Sequence, residues 1–346
     1  MVKLRDVARA AGVSQGTASN VFNRPEAVSA ELRERVLAAA DALGYAGPSP
    51  KGRLLRAGRA NAVGVAAAEP LPYFFADPWA RRLLAEVARV CDARGAGLAL
   101  VSVSGGKHLT WGIETALVDG FLLRCGGREL LVELARRRGL PFVALSLDTG
   151  EPDVPAVDID DFGGAREAAR HVAALGHRRV AILGIGLGDR VGRAPPEAAR
   201  LTRFVNVRER ALGFWAGLAE AGLAEADVPL LALDNEGEGA GEALAPLFDA
   251  PGAPTALLAM SDKVALAALD WLGARGLRVP GDVSLTGFDD VPEAALSAPP
   301  LTTVAQPYAR IAERAVAAIL DGEMPDGREV LPLDLVVRAS TGPAPA

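Results

Sequence analysis

Residues 14–23, SQGTASNVFN, gather short hydrogen-bonding side chains that larger residues would obstruct. Gln15 carries an amide that donates and accepts at once, which suits a base edge, and Asn20, one helical turn further on, is a second reader. Ser14, Thr17, Ser19 and Asn23 suit contacts to phosphate oxygens. Gly16 reads nothing but permits close backbone approach. A second group stands far along the chain: Asp148, Arg210, Ser261 and Asp289, each placed by its neighbours at a strand end or a helix start. Carboxylates accept from hydroxyl groups and a guanidinium donates in a fixed fork, so this set suits a polyhydroxylated ligand such as a sugar or nucleoside.

The elements that must hold the first group are short helices. Leu4, Val7, Ala8 and Ala11 recur at helical spacing, and Gly12 stops the run in a left-handed turn. Ser14 is placed to cap a second helix with Ala18, Val21 and Phe22 on one face. Ser29 is placed to cap a third, with Leu32, Val36, Leu37, Ala40 and Leu43 expected inward and Gly44 at its end. Two helices about such a turn make a helix-turn-helix, whose second helix enters the major groove. The plain alternative is a three-helix packing unit with no nucleic-acid role.

Charge supports the groove reading. The 346-residue chain carries a formal charge of -6, yet residues 1–59 hold ten basic and five acidic side chains. That segment is therefore +5 and the remainder -11, so a polyanion partner is expected for the front of the chain only. No apolar run reaches the roughly 18 residues that a membrane helix needs, and the N-terminus has no signal-peptide core, so a cytoplasmic location is expected. Cys91 and Cys125 make no disulfide framework and are expected as buried thiols in a reducing compartment.

From residue 60 onward apolar strands alternate with amphipathic helices. Strands are expected at 62–67, 97–103, 120–123, 142–147, 180–183, 229–233, 256–259 and 284–288. Helices are expected at 79–94, 164–175, 207–221, 238–248 and 263–275. Repeated β-α-β order implies parallel sheets covered on both faces, and the number of units implies two Rossmann-like lobes. Ligands bind such sheets beyond the strand C-termini, so a cleft between lobes sets two binding edges face to face.

Taken together, DVARAAGVSQGTASNVFN and the following VSAELRERVLAAADALGYAG resemble the head of the LacI family of bacterial transcription regulators. Ala18 stands where valine is usual and Asn20 where arginine is common. The body continues the resemblance through VDGF (118–121), LGHRRVAIL (175–183), RALGF (210–214), RVPGDVSLTGFDDV (278–291) and PPLTTVAQP (299–307). The resemblance implies a helix-turn-helix domain at 1–47 and a hinge segment at 48–60. It implies an effector-binding and dimerisation domain at 61–341, of the periplasmic-binding-protein type. The N-lobe is expected at about 61–161 and 307–332, and the C-lobe at about 162–306 and 333–341.

In PSPKGRLLRAGR (48–59) the resemblance makes Leu55 a wedge for the minor groove and Arg53 its basic neighbour, with Gly52 replacing the usual alanine. It also makes Asp148, Arg210, Ser261 and Asp289 effector contacts, although asparagine is usual at position 261. Phe74, Phe75 and Asp77, in the atypical stretch LPYFFADPW, are further effector candidates. The implied protein is a homodimer on a near-palindromic double-stranded operator, most often a repressor, switched by lobe closure. The stretch 184–207 looks expanded and carries no assigned role. The C-terminal TGPAPA lacks a leucine heptad, so no tail-mediated tetramer is expected.

Two other classes fit the sequence less well. An α/β enzyme acting on sugars or nucleotides leaves the basic front unexplained. GIGLGD (184–189) has the wrong spacing for a dinucleotide loop and lacks the acidic residue about 20 positions on. His108, His171 and His177 are too scattered for a metal cluster or a hydrolytic triad, and no cofactor is implied. A solute-binding receptor would need an export signal.

Overall fold

The computed structural model describes residues 2–47, 58–102, 109–124, 128–145, 154–188, 191–234, 237 and 239–345. Cys125, His108 and the whole stretch 48–57 lie outside these. The chain divides into two compact units at Ala60/Asn61.

The first unit holds α1 (Leu4–Ala10), α2 (Gln15–Asn23) and α3 (Ala30–Ala42). Its core is made of small side chains, with Val7, Ala8, Ala11, Ala18, Val21, Val36 and Ala40 buried. Gly12 turns the chain with a φ of 65°, a conformation that costs glycine little. Phe22 meets Tyr45 edge-on with ring centres 5.7 Å apart, closing the unit from the side. Three expectations fail here. Ser29 occupies the N-cap of α3, but its hydroxyl makes no capping bond. Leu37 and Leu43 are exposed rather than inward. Leu37 lies a fifth of a turn or more off the Val36–Ala40 stripe, and Leu43 falls past the last helical residue.

The second unit contains two sheets. The N-lobe sheet is formed by β1 (Ala62–Ala67), β2 (Gly97–Ser102), β3 (Gly120–Arg124), β4 (Phe142–Leu145), β5 (Ala156–Ile159) and β12 (Arg328–Leu331). Its order is β12-β5-β4-β3-β1-β2, and every pairing is parallel. The C-lobe sheet contains β6 (Val180–Ile185), β7 (Gly192–Ala194), β8 (Leu230–Leu233), β9 (Ala256–Ala259), β10 (Ser284–Asp289), β11 (Thr302–Ala305) and β13 (Asp334–Val336). Its order is β13-β11-β10-β9-β6-β8-β7, antiparallel only at the two edges. The chain passes between sheets after Ile159, after Ala305 and after Leu331. Strands β5, β7, β11, β12 and β13 were not anticipated. Each is three or four residues long, and several carry charged residues such as Asp158, Arg328 and Asp334, so period-two patterning has little to show.

Two helices of the C-lobe position the chemistry. The helix Asp161–Ala174 begins three residues earlier than its apolar pattern implied, because Asp160 caps it by accepting from Gly163 N at 2.8 Å. The helix Val205–Ala219 lies against it at very short range. A Cβ at Gly213 would sit 2.3 Å from the Phe162 carbonyl oxygen, and one at Gly217 would sit 2.5 Å from that of Arg166. Only glycine fits at both, and this close approach brings Arg210 to the first turn of the neighbouring helix. Phe214 and Leu218, both fully buried, drive the contact, each contributing about 2–3 kcal/mol by leaving water.

Candidate functional site

The first unit presents one polar helical face. Ser14 caps α2 by accepting from Thr17 N at 3.0 Å, and its hydroxyl also shares a hydrogen with Thr17 Oγ1 at 2.8 Å. Asn23 donates to Ser19 O and Ser19 Oγ at 2.9 and 3.0 Å. Each of these two pairs thus holds its own side chains in place. Gln15 and Asn20 are exposed, and no side-chain bond within the described residues ties them down. Gly16, also exposed, has helical φ, and a Cβ there would meet only Ser14 Oγ at an ordinary 3.6 Å. Nothing in the fold requires glycine at this position. Arg53 and Leu55 lie outside the described residues.

In the second unit a cleft, partly open to solvent, is lined largely by polar side chains. Both lobes contribute walls, as ligand clefts between sheets commonly do. From the N-lobe come Tyr73, Asp77, Trp79 and Arg124; from the C-lobe come Ile185, Asn206, Arg210, Ser261, Lys263 and Asp289; Gln306 comes from a crossover. Arg124 ends β3 and lies flat on the Trp79 ring, 3.8 Å from its centre, while its guanidinium also bonds the Tyr73 hydroxyl.

Arg210 is the hub. Its Nε donates to Asp161 Oδ1 at 2.7 Å, and one terminal nitrogen donates to the Met260 carbonyl and to Asp289 Oδ1, the latter at 3.4 Å. The guanidinium also stacks on Phe288, 3.7 Å from the ring centre. Asp289 closes β10 with a φ of 121°, and Asp290 follows at 57°. This uncommon backbone at a non-glycine residue is held from three sides. Tyr308 OH donates to the Asp289 carbonyl at 2.9 Å, and Gln306 Nε2 donates to its carboxylate at 2.7 Å. Trp79 Nε1 in turn donates to Gln306 Oε1 at 2.9 Å. Behind them Asp262, fully buried, accepts from Val291 N at 2.9 Å and from the Thr303 hydroxyl at 2.5 Å. It anchors the loop after β10 and does not line the cleft.

Two carboxylates thus share one guanidinium away from water. Burial pushes Asp289 up to about 7 and Asp161 up to about 6, with Arg210 pulling both back toward ionisation. Burial pushes Asp262 well above the usual carboxylate range, and the Asp289 charge adds to the shift. For Arg210 burial opposes the charge, but Asp161 and Asp289 more than offset it.

The candidates from sequence therefore separate. Asp77, Arg210, Ser261 and Asp289 converge on the cleft. Asp77 also caps the helix Pro78–Ala93 by accepting from Ala80 N at 2.9 Å, and Ser261 caps the helix Asp262–Ala274 by accepting from Val264 N at 3.2 Å. Phe74 is a correction: it is buried in the N-lobe core, beneath Trp79, and is absent from the lining. Phe75 is a second, 62% exposed and likewise absent from the lining. The short helix Tyr73–Ala76 turns three adjacent aromatics in three directions, and only Tyr73 faces the cavity. Asp148 lies outside the described residues. Trp79, Arg124, Asn206, Lys263 and Gln306 line the cleft without being among the site residues that the sequence singles out. Lys263, Asn206 and Trp79 had a usable signal, each within a turn of an identified residue; Arg124 had none. His177 closes the end of the helix Asp161–Ala174, its N–H donating to the Val172 carbonyl at 3.3 Å, and its buried ring is bonded to Thr255 and Ser284 at 2.9 and 3.0 Å. No cluster of metal-ligating residues occurs among the described residues, and no described helix is long and apolar enough to cross a membrane.

Comparison with known proteins bears on this two-part arrangement. Residues 3–47 match the model for bacterial regulatory proteins of the lacI family, and residues 169–341 match that for the periplasmic binding protein-like domain. An HTH-type transcriptional regulator of Mycobacterium tuberculosis is 40% identical over 340 residues, spanning 92% of this chain and 94% of that protein. The chain belongs to the LacI family of bacterial transcriptional regulators. Among solved structures, the lac repressor dimer bound to operator and the anti-inducer ONPF matches with a TM-score of 0.79 at 25% identity, covering 99% of both chains. A complex of the transcriptional regulator CelR with cellobiose matches with a TM-score of 0.69 at 30% identity, covering 98% of this chain and all of that one. This LacI-family member is accordingly a DNA-binding transcriptional regulator with a helix-turn-helix head and an α/β body of two lobes. These relatives lend no support to the sugar- or nucleotide-modifying enzyme weighed above.

Proposed function

We propose that this LacI-family regulator acts as a homodimer, most simply a repressor, on a near-palindromic operator. Each head reads one half-site, and a twofold axis pairs two heads on two half-sites. The observation that carries this reading is the division of labour on α2. Ser14 and Thr17 are engaged with each other, as are Ser19 and Asn23, which positions them for phosphates, while Gln15 and Asn20 are left exposed for base edges. Leu55 and Arg53 are assigned to the minor groove at the operator centre, as the family resemblance implies.

The ligand assigned to the cleft is a small polyhydroxylated molecule, a sugar or nucleoside. Asp77 and Asp289 accept from its hydroxyls, Arg210, Lys263 and Asn206 donate, and Tyr73 and Trp79 supply ring faces. Asp148 belongs to the same set by the resemblance. A ligand bound more tightly by one inter-lobe geometry shifts the population of that geometry, and so couples to DNA binding.

The test is selection from a random DNA pool with the purified full-length chain, followed by a screen of sugars and nucleosides for displacement. Recovery of an inverted-repeat consensus supports the reading. Failure to enrich any sequence over scrambled competitor, with and without each ligand, would reject it.

A further inference from the structure

The helical turn that starts at Asp77 does more than line the cleft. Asp77 Oδ2 lies 3.8 Å from Lys263 Nζ of the opposite lobe. Trp79 reaches the crossover at Gln306. Two residues on, Arg81 forms an ion pair with Glu293 of the C-lobe. One turn of an N-lobe helix therefore both touches the cavity and bridges to the other lobe.

Glu293 is tied to the cavity just as closely. It lies four residues after Asp289, in the short helix Pro292–Leu296. The chain between them is pinned where Val291 N donates to Asp262. One Glu293 carboxylate oxygen faces Arg81, and the other is buried without a partner among the described residues. The pair lies outside the cavity lining and closer to solvent than the residues that form it. Its side chains are 45% and 39% exposed, whereas those of Asp77 and Asp289 are 10% and 6% exposed.

Resting on the ligand-cleft reading above, we propose that the Arg81–Glu293 ion pair is a clasp across the cleft mouth. It positions the two lobes and sets how often the cavity opens to admit or release ligand. Neither residue touches the cavity. Each acts through a neighbour that does, Arg81 through Asp77 and Trp79 and Glu293 through Asp289. A clasp of this kind must be weak enough to open, and a partly exposed pair answers that need.

Opening is read without DNA or ligand. A single thiol is placed in the cavity by Asn206→Cys, with Cys91→Ala and Cys125→Ser, in the otherwise intact chain. Its reaction rate with dithiobis-nitrobenzoate reports cleft opening. Arg81→Ala and Glu293→Ala are each expected to raise the rate about two- to fivefold, with no further gain in the double variant. Arg81→Lys is expected to retain part of the protection. The exchange of Arg81→Glu with Glu293→Arg is expected to restore it. Raising sodium chloride from about 0.1 M to about 1 M, which shortens the screening length from about 10 Å to about 3 Å, should speed labelling only where the pair is intact. Equal rates in all variants, additive effects in the double, or no recovery in the exchange would overturn the clasp. Because neither operator nor effector enters the assay, its failure is separable from failure of the DNA selection.

Discussion

Arg210 donates from Nε to Asp161 Oδ1 at 2.7 Å, with side chains only 5% and 3% exposed. Asp161 is the second residue after the chain leaves the N-lobe sheet, so this bond fastens the first crossover to the helix that carries a cleft wall. The same guanidinium reaches Asp289 at the end of β10. The end of β10 is therefore mechanically joined to the crossover.

Removing Arg210 strands two buried carboxylates. Arg210→Ala is expected to cost about 3–5 kcal/mol, read by urea unfolding. Combining Arg210→Met with Asp161→Asn is expected to cost clearly less than Arg210→Ala alone, since the unpaired charge goes too. A double variant as unstable as the single one would show that lost packing dominates.

Stability should depend on pH in a stated direction. Asp289 and Asp161 titrate near 7 and 6 in the fold, against about 4 in an unfolded chain. The folded state then binds more protons, so their contribution is fully present below about pH 4 and is lost as pH rises through 6 to 7. Melting temperature should fall across that window in the native sequence. Asp289→Asn, which mimics the protonated form, should flatten the fall. An unchanged slope would show that Asp289 is ionised throughout.

Gly16 sits in the first turn of α2 without any steric demand for glycine. Gly16→Ala is expected to stabilise the head by up to about 1 kcal/mol while weakening or redirecting operator binding. Gln15→Ala is expected to cost about 1–3 kcal/mol per half-site and to relax preference at one base pair, leaving the salt dependence of binding unchanged. Quantitative footprinting on the selected operator checks both, and a Gln15 variant that weakens all sequences equally would place Gln15 on phosphate instead.

At Gly213 a methyl group would meet the Phe162 carbonyl at 2.3 Å. Gly213→Ala should push the two C-lobe helices apart and cost about 1–3 kcal/mol in unfolding experiments. It should also weaken ligand response, because Arg210 moves with its helix. Full stability in the variant would mean that the helices slide without loss.

The helix-turn-helix was legible in the chain because its determinants are local. The Gly12 turn, the Ser14 cap and the apolar positions Val7, Ala18 and Val21 all lie on two consecutive helices and the turn that joins them. The β-α alternation was legible for a similar reason, since each long apolar strand announces itself. Arg210, Ser261 and Asp289 could be placed from their positions at element ends, where such sheets offer side chains to a cleft.

What the sequence alone could not decide was which face of a short element turns inward and which distant elements meet. Tyr73, Phe74 and Phe75 are three consecutive aromatics, and only tertiary packing sends one to the cavity, one to the core and one to water. Arg81 and Glu293 stand 212 positions apart and meet because two lobes fold around three crossovers. Short edge strands such as β7 and β12 exist through the partner they pair with, not through their own pattern. Local hydrogen bonding and periodicity are encoded within a few residues, whereas convergence across a cleft is a property of the whole packed chain.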